Sequence, residues 1–384
     1  MMNNSTSFQY NISGATNVTL NFTEEERWQY LMLLDNEYSL KVLAGMIFLG
    51  ILAVIGFFGN TLVLIVYIKN FQKSTSRIFI LALAAFDLVN NIIATPGEII
   101  NMRYSYRFES VEWCKIIKLA KYLSLIGSVF TLVAISIDRH RKICHPFKRQ
   151  ITEKHATIIV AVVAVVSFVL TLPSLIVHSA KDVETDIPGL TGKKCAFEDS
   201  YDGLLHNVYF IGLPALMFLV CFAILCVLYI LVGRQIFHQV KYTNKLNTKP
   251  AADSMDMDGA ESRLSPPESM GSTTGLNTRE ITPAKIRKPV GLSKNRTTLM
   301  LLSITIVFIA SFVPYLIIAI LKWVMSDFKQ NLGFTGYQFY SVFLRSYFMN
   351  SSANPVVYSY WNKRFRQGCV RLLTPWRKRK TVVF

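Results

Sequence analysis

The chain has 384 residues, of which 52% are hydrophobic and only 17% are charged, and its formal net charge is +17. This composition is too apolar for an ordinary soluble domain. Several uncharged runs are long enough to cross a bilayer, which requires about 20 apolar residues. These features predict a membrane protein.

Seven apolar segments follow one another along the chain, and the seventh is the weakest because it contains Arg345. Inside lipid every backbone polar group must find a partner within the protein, and a bundle of helices meets that requirement. We therefore predict an all-α membrane protein with seven transmembrane helices. The predicted spans are 42–68, 78–100, 116–137, 157–177, 204–232, 297–320 and 333–360.

Sequons and loop charges give the bundle an orientation. Five Asn-x-Ser/Thr sequons lie at the start of the chain and indicate an extracellular, glycosylated tail. The loops after spans one and three and the segment after span seven are basic, whereas the opposite side is acidic, which predicts an extracellular N-terminus and a cytoplasmic C-terminus. Cytoplasmic loops that face anionic lipid explain the net charge, so no nucleic-acid partner is expected. The predicted glycosylation sites are Asn3, Asn4, Asn11, Asn17 and Asn21.

The chain divides into five predicted parts. An extracellular tail (1–39) precedes helices one to five (40–232), a cytoplasmic third loop (233–295), helices six and seven (296–360), and an amphipathic eighth helix with a cytoplasmic tail (361–384). The middle of the third loop is rich in Ser, Thr, Pro, Gly and acids, so most of the loop is predicted to be disordered. Cys369 follows several basic residues just past the last span, which suits S-palmitoylation.

The cysteines and the missing motifs restrict the chemistry. Cys114 begins span three on the outer side and Cys195 lies in the next outer loop. Both face an oxidising compartment, which predicts a Cys114–Cys195 disulfide. The sequence contains no phosphate-binding Gly-rich loop, no zinc-protease motif and no Cys-x-x-Cys pair, so neither an enzyme nor a cofactor is expected.

Several polar groups lie inside the predicted spans. Asp87 is in the middle of span two, where a carboxylate costs about 2.5–3.5 kcal/mol even on the mild insertion scale. Asn350, Ser351 and Asn354 place oxygens mostly on one face of span seven, and Ser128 adds a hydroxyl in span three. One acid with neutral oxygens suits a small hard cation such as sodium. The alternative is a protonated Asp87 that hydrogen-bonds to a neighbouring helix.

These motifs, in this order and spacing, resemble the rhodopsin-like (class A) family of G-protein-coupled receptors. The resemblance runs from residue 40 to about residue 373. It implies a receptor that acts on heterotrimeric G proteins and arrestin, and a sodium ion that stabilises the inactive packing. The shared features are Gly59-Asn60, Asp87, Cys114 placed 25 residues before Arg139, Pro146, Pro214, Phe308, Pro314, Asn354-Pro355-x-x-Tyr358 and Phe365.

Two of the family's activation motifs are altered in this sequence. The Asp-Arg-Tyr motif reads Asp138-Arg139-His140, and the Cys-Trp-x-Pro motif of span six reads Ser311-Phe312-Val313-Pro314. The switch aromatic is then Phe312. The resemblance implies roles in activation and G-protein coupling for Asp138, Arg139, His140, Pro146, Pro214, Phe308, Pro314, Asn354, Pro355 and Tyr358.

The third span presents Lys118, Lys121, Tyr122 and Leu125 on one helical face. With Arg345, these cations suit a ligand carboxylate or sulfate. The alternative is that Lys121 pairs with Glu98 of span two, and the sequence leaves this open. The further residues predicted to contact the ligand are Phe312 and Tyr315.

The identity of the ligand is limited by two positions. Lys121 stands where amine receptors carry an aspartate, and Phe348 stands where retinal-binding members carry a lysine. The pattern looks most like peptide receptors of the cholecystokinin, orexin and neuropeptide types. The alternatives are a receptor of the same fold for a small anionic or lipid ligand and, from another class, a transporter or channel. The latter would need an internal repeat and a polar path, and the sequence shows neither.

Overall fold

The computed structural model describes residues 22–198, 212–247, 291–325, 328 and 332–374. The five predicted glycosylation sites lie outside these residues, as does the segment 248–290 of the third inner loop. The backbone of Pro214 is helical, but its side chain is outside the description. The helices are α1 (Glu24–Lys41), α2 (Leu43–Asn70), α3 (Thr75–Arg103), α4 (Val111–Cys144), α5 (Glu153–Val177), α6 (Leu213–Asn247), α7 (Gly291–Val324), α8 (Phe334–Phe343), α9 (Met349–Trp361) and α10 (Lys363–Leu373).

Six helices, α2 to α7, are long and apolar enough to span a membrane, and each contains the corresponding predicted span or most of it. They extend beyond the predicted ends; α4, for example, covers 111–144 against a predicted 116–137. Likewise α6 continues to Asn247 and α7 begins at Gly291, inside the segment predicted as a largely disordered loop. Hydropathy marks only the apolar part of a helix, whereas polar turns outside the bilayer continue it.

The seventh span is broken into two helices. The first, α8, ends at Phe343, a 3₁₀ turn covers Ser346–Phe348, and α9 follows with Pro355 inside it. Proline has no N–H to offer the carbonyl of residue 351, four positions earlier. Asn60 of α2 donates to that carbonyl instead, from Nδ2 over 2.8 Å.

An additional helix, α1, precedes the first span. Thr23 and Glu26 form a reciprocal capping box at its start. Near its other end Asp35 is fully buried and pairs with Arg107 of the first outer loop at 2.7 Å. The helix therefore packs onto the outer loops, and 24–39 of the predicted tail are ordered.

The outer loop between α5 and α6 forms a hairpin of β1 (His178–Glu184) and β2 (Thr191–Phe197). Lys193 of β2 exchanges backbone hydrogen bonds with Tyr106 and Phe108 of the first outer loop. On the inner side, Asn362 caps α10, and Phe365 is buried against the ring of Tyr67. The hairpin thus lies at the outer end of the bundle, and α10 packs against α2 at the inner end.

Candidate functional site

The predicted disulfide between Cys114 and Cys195 is present, with a Cα–Cα distance of 5.4 Å. It ties β2 to the first turn of α4. Both cysteines are buried together with Phe108 and Ile117. The bond therefore holds the hairpin over the outer end of the bundle, next to the predicted ligand residues.

Glu98, Lys121 and Arg345 form a buried ionic cluster in the outer half of the bundle. Arg345 donates from Nε to Glu98 Oε1 over 3.2 Å, and Lys121 Nζ lies 3.8 Å from Glu98 Oε2. The second contact is longer than a hydrogen bond, and Glu98 Oε2 has no hydrogen-bond partner among the described residues. Lys121 is thus paired with Glu98, but less tightly than Arg345. Lys118, on the same face of α4, makes no ion pair within the part of the chain that the structure describes.

The Lys121 end of the ionic cluster packs against aromatic rings. The Lys121 ammonium lies 5.2 Å from the ring centre of Tyr347 and 5.7 Å from that of Phe348. The Tyr347 ring in turn contacts Tyr315 at 5.1 Å and Phe312 at 6.0 Å, measured between ring centres. Tyr347 therefore links the charged part of the pocket to the switch aromatic, a role that the sequence did not reveal.

Phe312 belongs to a deeper aromatic cluster with Phe308 and Phe218. Its ring centre is 4.7 Å from that of Phe308 and 4.9 Å from that of Phe218, and all three side chains are buried. Pro314 lies within α7, two residues further. The cluster joins α6 to α7.

The other two predicted ligand residues of α4 face different surroundings. The Tyr122 ring lies 5.9 Å from that of His178, at the base of the hairpin. Leu125 packs against the central apolar core. Tyr122 is thus placed beside the hairpin and Leu125 beside the apolar core.

Asp87 is the centre of a second buried polar site, deeper in the bundle. Its Oδ2 accepts from Asn354 Nδ2 at 2.7 Å and its Oδ1 accepts from Ser128 Oγ at 3.2 Å. The Ser351 hydroxyl lies near this carboxyl group. The structure therefore brings Asp87 together with three of the four residues predicted to share its site.

The Asp87 site has oxygen atoms to offer a cation. The carboxamide oxygens of Asn350 and Asn354 are buried and have no hydrogen-bond partner among the described residues. Buried polar atoms without a partner are costly and usually mark a bound ion or water. One carboxylate with hydroxyl and amide oxygens is a donor set for a small hard cation, so the residues present fit the sodium ion that the family resemblance implies.

The inner end of α4 carries Asp138, Arg139 and His140. Asp138 Oδ2 accepts from Arg139 Nη2 at 2.9 Å and from Lys142 Nζ at 2.8 Å. The Arg139 guanidinium also donates to Ser76 and the Lys142 ammonium to Thr75, both in the first turn of α3. His140 stacks edge-on against His145. The Arg139 side chain is therefore held by its neighbour and by α3.

Three further predicted residues lie near this end. Tyr358 is buried beside Tyr67 and Phe365, and its hydroxyl has no partner in the described part of the chain. Pro146 is exposed in the second inner loop. Cys369 packs partly against the core, and burial raises the pKa of its thiol. Palmitoylation of Cys369 stays a prediction.

Comparison with known proteins assigns the chain to a family. The sequence model for the seven-transmembrane receptors of the rhodopsin family matches residues 59–358. Neuropeptide FF receptor 1 of Rattus norvegicus is 26% identical over 320 residues, which cover 81% of this chain and 65% of that receptor. Cholecystokinin receptor type A of Homo sapiens is 28% identical over 331 residues, 81% of this chain and 76% of that receptor.

A third relative, the cholecystokinin receptor of Xenopus laevis, is 26% identical over 341 residues, which cover 83% of this chain and 74% of that receptor. The match thus extends over most of the bundle described above. The inner motif Asp138-Arg139-His140 and the Asn354–Tyr358 segment lie inside the matched range. The chain therefore belongs to the rhodopsin family of seven-transmembrane receptors, and it is a G-protein-coupled receptor, not an enzyme.

Proposed function

We propose that this receptor transmits the signal of an extracellular peptide with an acidic group to heterotrimeric G proteins. The excess of positive charge in the outer half of the bundle carries the proposal. Glu98 pairs with Lys121 and Arg345, and no described carboxylate forms an ion pair with Lys118. Unpaired charge at this depth is costly, so a ligand anion that pairs with it gains strongly. The relatives, named after neuropeptide FF and cholecystokinin, support a peptide over a smaller ligand.

Lys118 is the residue that we expect to meet the ligand's anion. Arg345 already donates to Glu98 at 3.2 Å and to the carbonyl of Ser341 at 3.2 Å. Lys121 is held by Glu98 and by the faces of two aromatic rings. Lys118 makes fewer ion pairs and hydrogen bonds with the described residues than the other two cations. It lies one helical turn nearer the outside than Lys121. Tyr122, Tyr315 and Leu125 complete the ligand pocket in this proposal.

The signal then passes from the charged cluster to Phe312. A ligand anion attracts Lys121 as well as Lys118 and draws its ammonium away from Tyr347. Tyr347 then loses a cation–π contact of about 0.5–2 kcal/mol, and its packing against Phe312 is free to change. Such a change biases the equilibrium between two packings of the bundle and does not create a new one.

The inner surface completes the proposed function. Outward movement of α7 exposes Arg139 and Tyr358, which with His140, Pro146 and the basic inner loops meet the G protein. Pro214 and Pro314 mark the positions in α6 and α7 where helices lack one backbone hydrogen bond and bend easily. Arrestin is the second inner partner. In this orientation the receptor lies in the plasma membrane with its N-terminus outside.

The Asp87 site is proposed to regulate the same equilibrium. Asp87, Ser128, Asn350, Ser351 and Asn354 would hold a sodium ion, which supplies a positive charge next to the Asp87 carboxylate. The five side chains come from α3, α4 and α9, so a ligand shared among them favours the packing in which these helices lie close. Linkage requires that whatever favours the inactive packing lowers agonist affinity.

The function is tested by a peptide library on cells that express the receptor, with calcium and cAMP as readouts. We expect a response to peptides that carry an acidic group, and no response in cells that express Arg139→Ala at the same surface level. A response to small carboxylates or lipids, with none to peptides, would contradict the peptide proposal. An ion current without G-protein activation would contradict the receptor mechanism.

A further inference from the structure

Asn90 lies on the outer side of the Asp87 site, at the point where α3 changes its winding. A π-helical turn covers Asn90–Ala94, and the Asn90 side chain is only 6% exposed. Its Nδ2 donates to Ser351 Oγ over 3.0 Å. Its Oδ1 lies 3.4 Å from Ser124 Oγ, whose single proton also has the Lys121 backbone carbonyl as an acceptor at 3.0 Å. One side chain of α3 thus connects α4 with α9 directly above Asp87.

The contact with Asn90 determines what the Ser351 hydroxyl can do. A hydroxyl group has one proton and two lone pairs. One lone pair of Ser351 Oγ accepts the Asn90 amide, which leaves the other lone pair and the proton for the Asp87 side. Without Asn90 the hydroxyl would be free to rotate toward backbone carbonyls of α9. Asn90 therefore fixes the orientation of an oxygen that faces the site.

We propose that Asn90 is a further member of the sodium site, which orients the Ser351 hydroxyl and forms the polar outer wall of the pocket. The inference rests on the proposed sodium site. Residues that orient the ligands of a metal by hydrogen bonds contribute strongly to its affinity, and their loss typically costs about 10–100-fold. The unpartnered oxygens of Asn350 and Asn354 are the independent sign that the site takes a ligand.

Asn90 also connects the site with the ligand pocket. The Ser124 hydroxyl that contacts Asn90 lies 3.0 Å from the carbonyl oxygen of Lys121. A chain of polar contacts therefore runs from the backbone carbonyl of Lys121 through Ser124 and Asn90 to Ser351, which lies near Asp87. An apolar residue at position 90 would interrupt this chain while leaving both pockets in place.

The test measures sodium binding and does not depend on signalling. The purified full-length receptor is unfolded thermally at constant ionic strength while sodium replaces choline, and the sodium concentration that gives half of the stabilisation is recorded. We expect Asn90→Leu, which keeps the volume and removes both hydrogen bonds, to raise that concentration about tenfold or more. Thr95→Val is the matched control, because Thr95 is also buried on α3 and its hydroxyl has no partner among the described residues.

A second variant covers the case in which Asn90→Leu does not fold. Ser124→Ala removes the partner of Asn90 Oδ1 without changing α3, and we expect a smaller rise in the same direction. A sodium response equal to that of the wild type in the variants that fold would overturn the role of Asn90. A wild-type receptor that sodium stabilises no more than choline does would overturn the sodium site itself, and Asp87→Asn would then show the same curve as the wild type.

Discussion

Asn60 donates a hydrogen bond from Nδ2 to the backbone carbonyl of Ser351, 2.8 Å away, and so replaces the bond that Pro355 cannot make. The two residues lie on α2 and α9. The same amide also donates to the Gly56 carbonyl at 3.0 Å. A hydrogen bond from a neighbouring helix thereby allows a proline inside the seventh span, where lipid cannot pair with a free carbonyl.

Asn60→Leu should lower the free energy of unfolding of the purified receptor by about 0.5–1.5 kcal/mol, the net contribution of one hydrogen bond, because Asn91 Nδ2 stays 3.5 Å from the Ser351 carbonyl. Pro355→Ala returns an N–H to position 355, which is able to bond to the Ser351 carbonyl. We therefore expect Asn60→Leu to cost less in the Pro355→Ala background. Denaturant unfolding in micelles measures all four proteins of the cycle, and equal losses in both backgrounds would contradict the role of Asn60.

The ion pair of Asp35 with Arg107 should anchor α1 to the outer loops. Asp35 also accepts from the backbone N–H of Tyr106 at 2.8 Å, and the Arg107 guanidinium lies over the Trp28 ring at 4.7 Å. Removing one partner of a buried pair leaves an uncompensated charge and costs about 3–5 kcal/mol. Asp35→Ala should therefore accelerate amide hydrogen exchange throughout α1.

Glu37→Ala is the matched control for that experiment. Glu37 pairs with Lys41 on the exposed side of the same helix, and exposed pairs contribute only about 0–1 kcal/mol. Its exchange pattern should match that of the wild type. An α1 that stays protected in Asp35→Ala would show that the apolar contacts of the helix are sufficient to hold it.

Phe147 should be a contact for the G protein. It follows Pro146 in the second inner loop, and its side chain is as exposed as in an extended peptide, at 102%. Burying such a ring contributes about 1.5–3 kcal/mol, so Phe147→Ala should reduce receptor-stimulated nucleotide exchange on the preferred G protein about tenfold or more at equal receptor concentration. Phe168→Ala, which changes an exposed ring of α5, should not. Equal exchange rates in both variants would remove Phe147 from the interface.

The sequence was sufficient for the features that depend on local pattern. The sequence directly shows the seven apolar segments, the two outer cysteines and the inner motif. The capping box at Thr23 and Glu26 is also visible in the sequence, but α1 has no marked apolar face and so lacks the pattern that predicts a packed helix. The ends of α6 and α7 were misplaced because hydropathy does not register the polar turns that continue a helix into water.

Features that depend on the distance between helices were beyond the sequence. Whether Lys121 pairs with Glu98 depends on how α3 and α4 approach each other, and the observed 3.8 Å follows from the packed bundle. Tyr347 was missed because its position beside Phe312 arises from the break between α8 and α9. Asn90 was missed because its partners belong to two other helices.

The central claim is that the outer cations bind an acidic group of the peptide. Lys118 offers the most direct test. The affinity of the activating peptide is compared with that of an analogue whose acid is replaced by a neutral amide, on the wild type and on Lys118→Gln. Hydrogen bonds to charged groups contribute about 1.5–3 kcal/mol, so the analogue should bind the wild type about tenfold or more weakly. Lys118→Gln should bind both peptides with nearly equal affinity, and the same loss on both receptors would contradict the account.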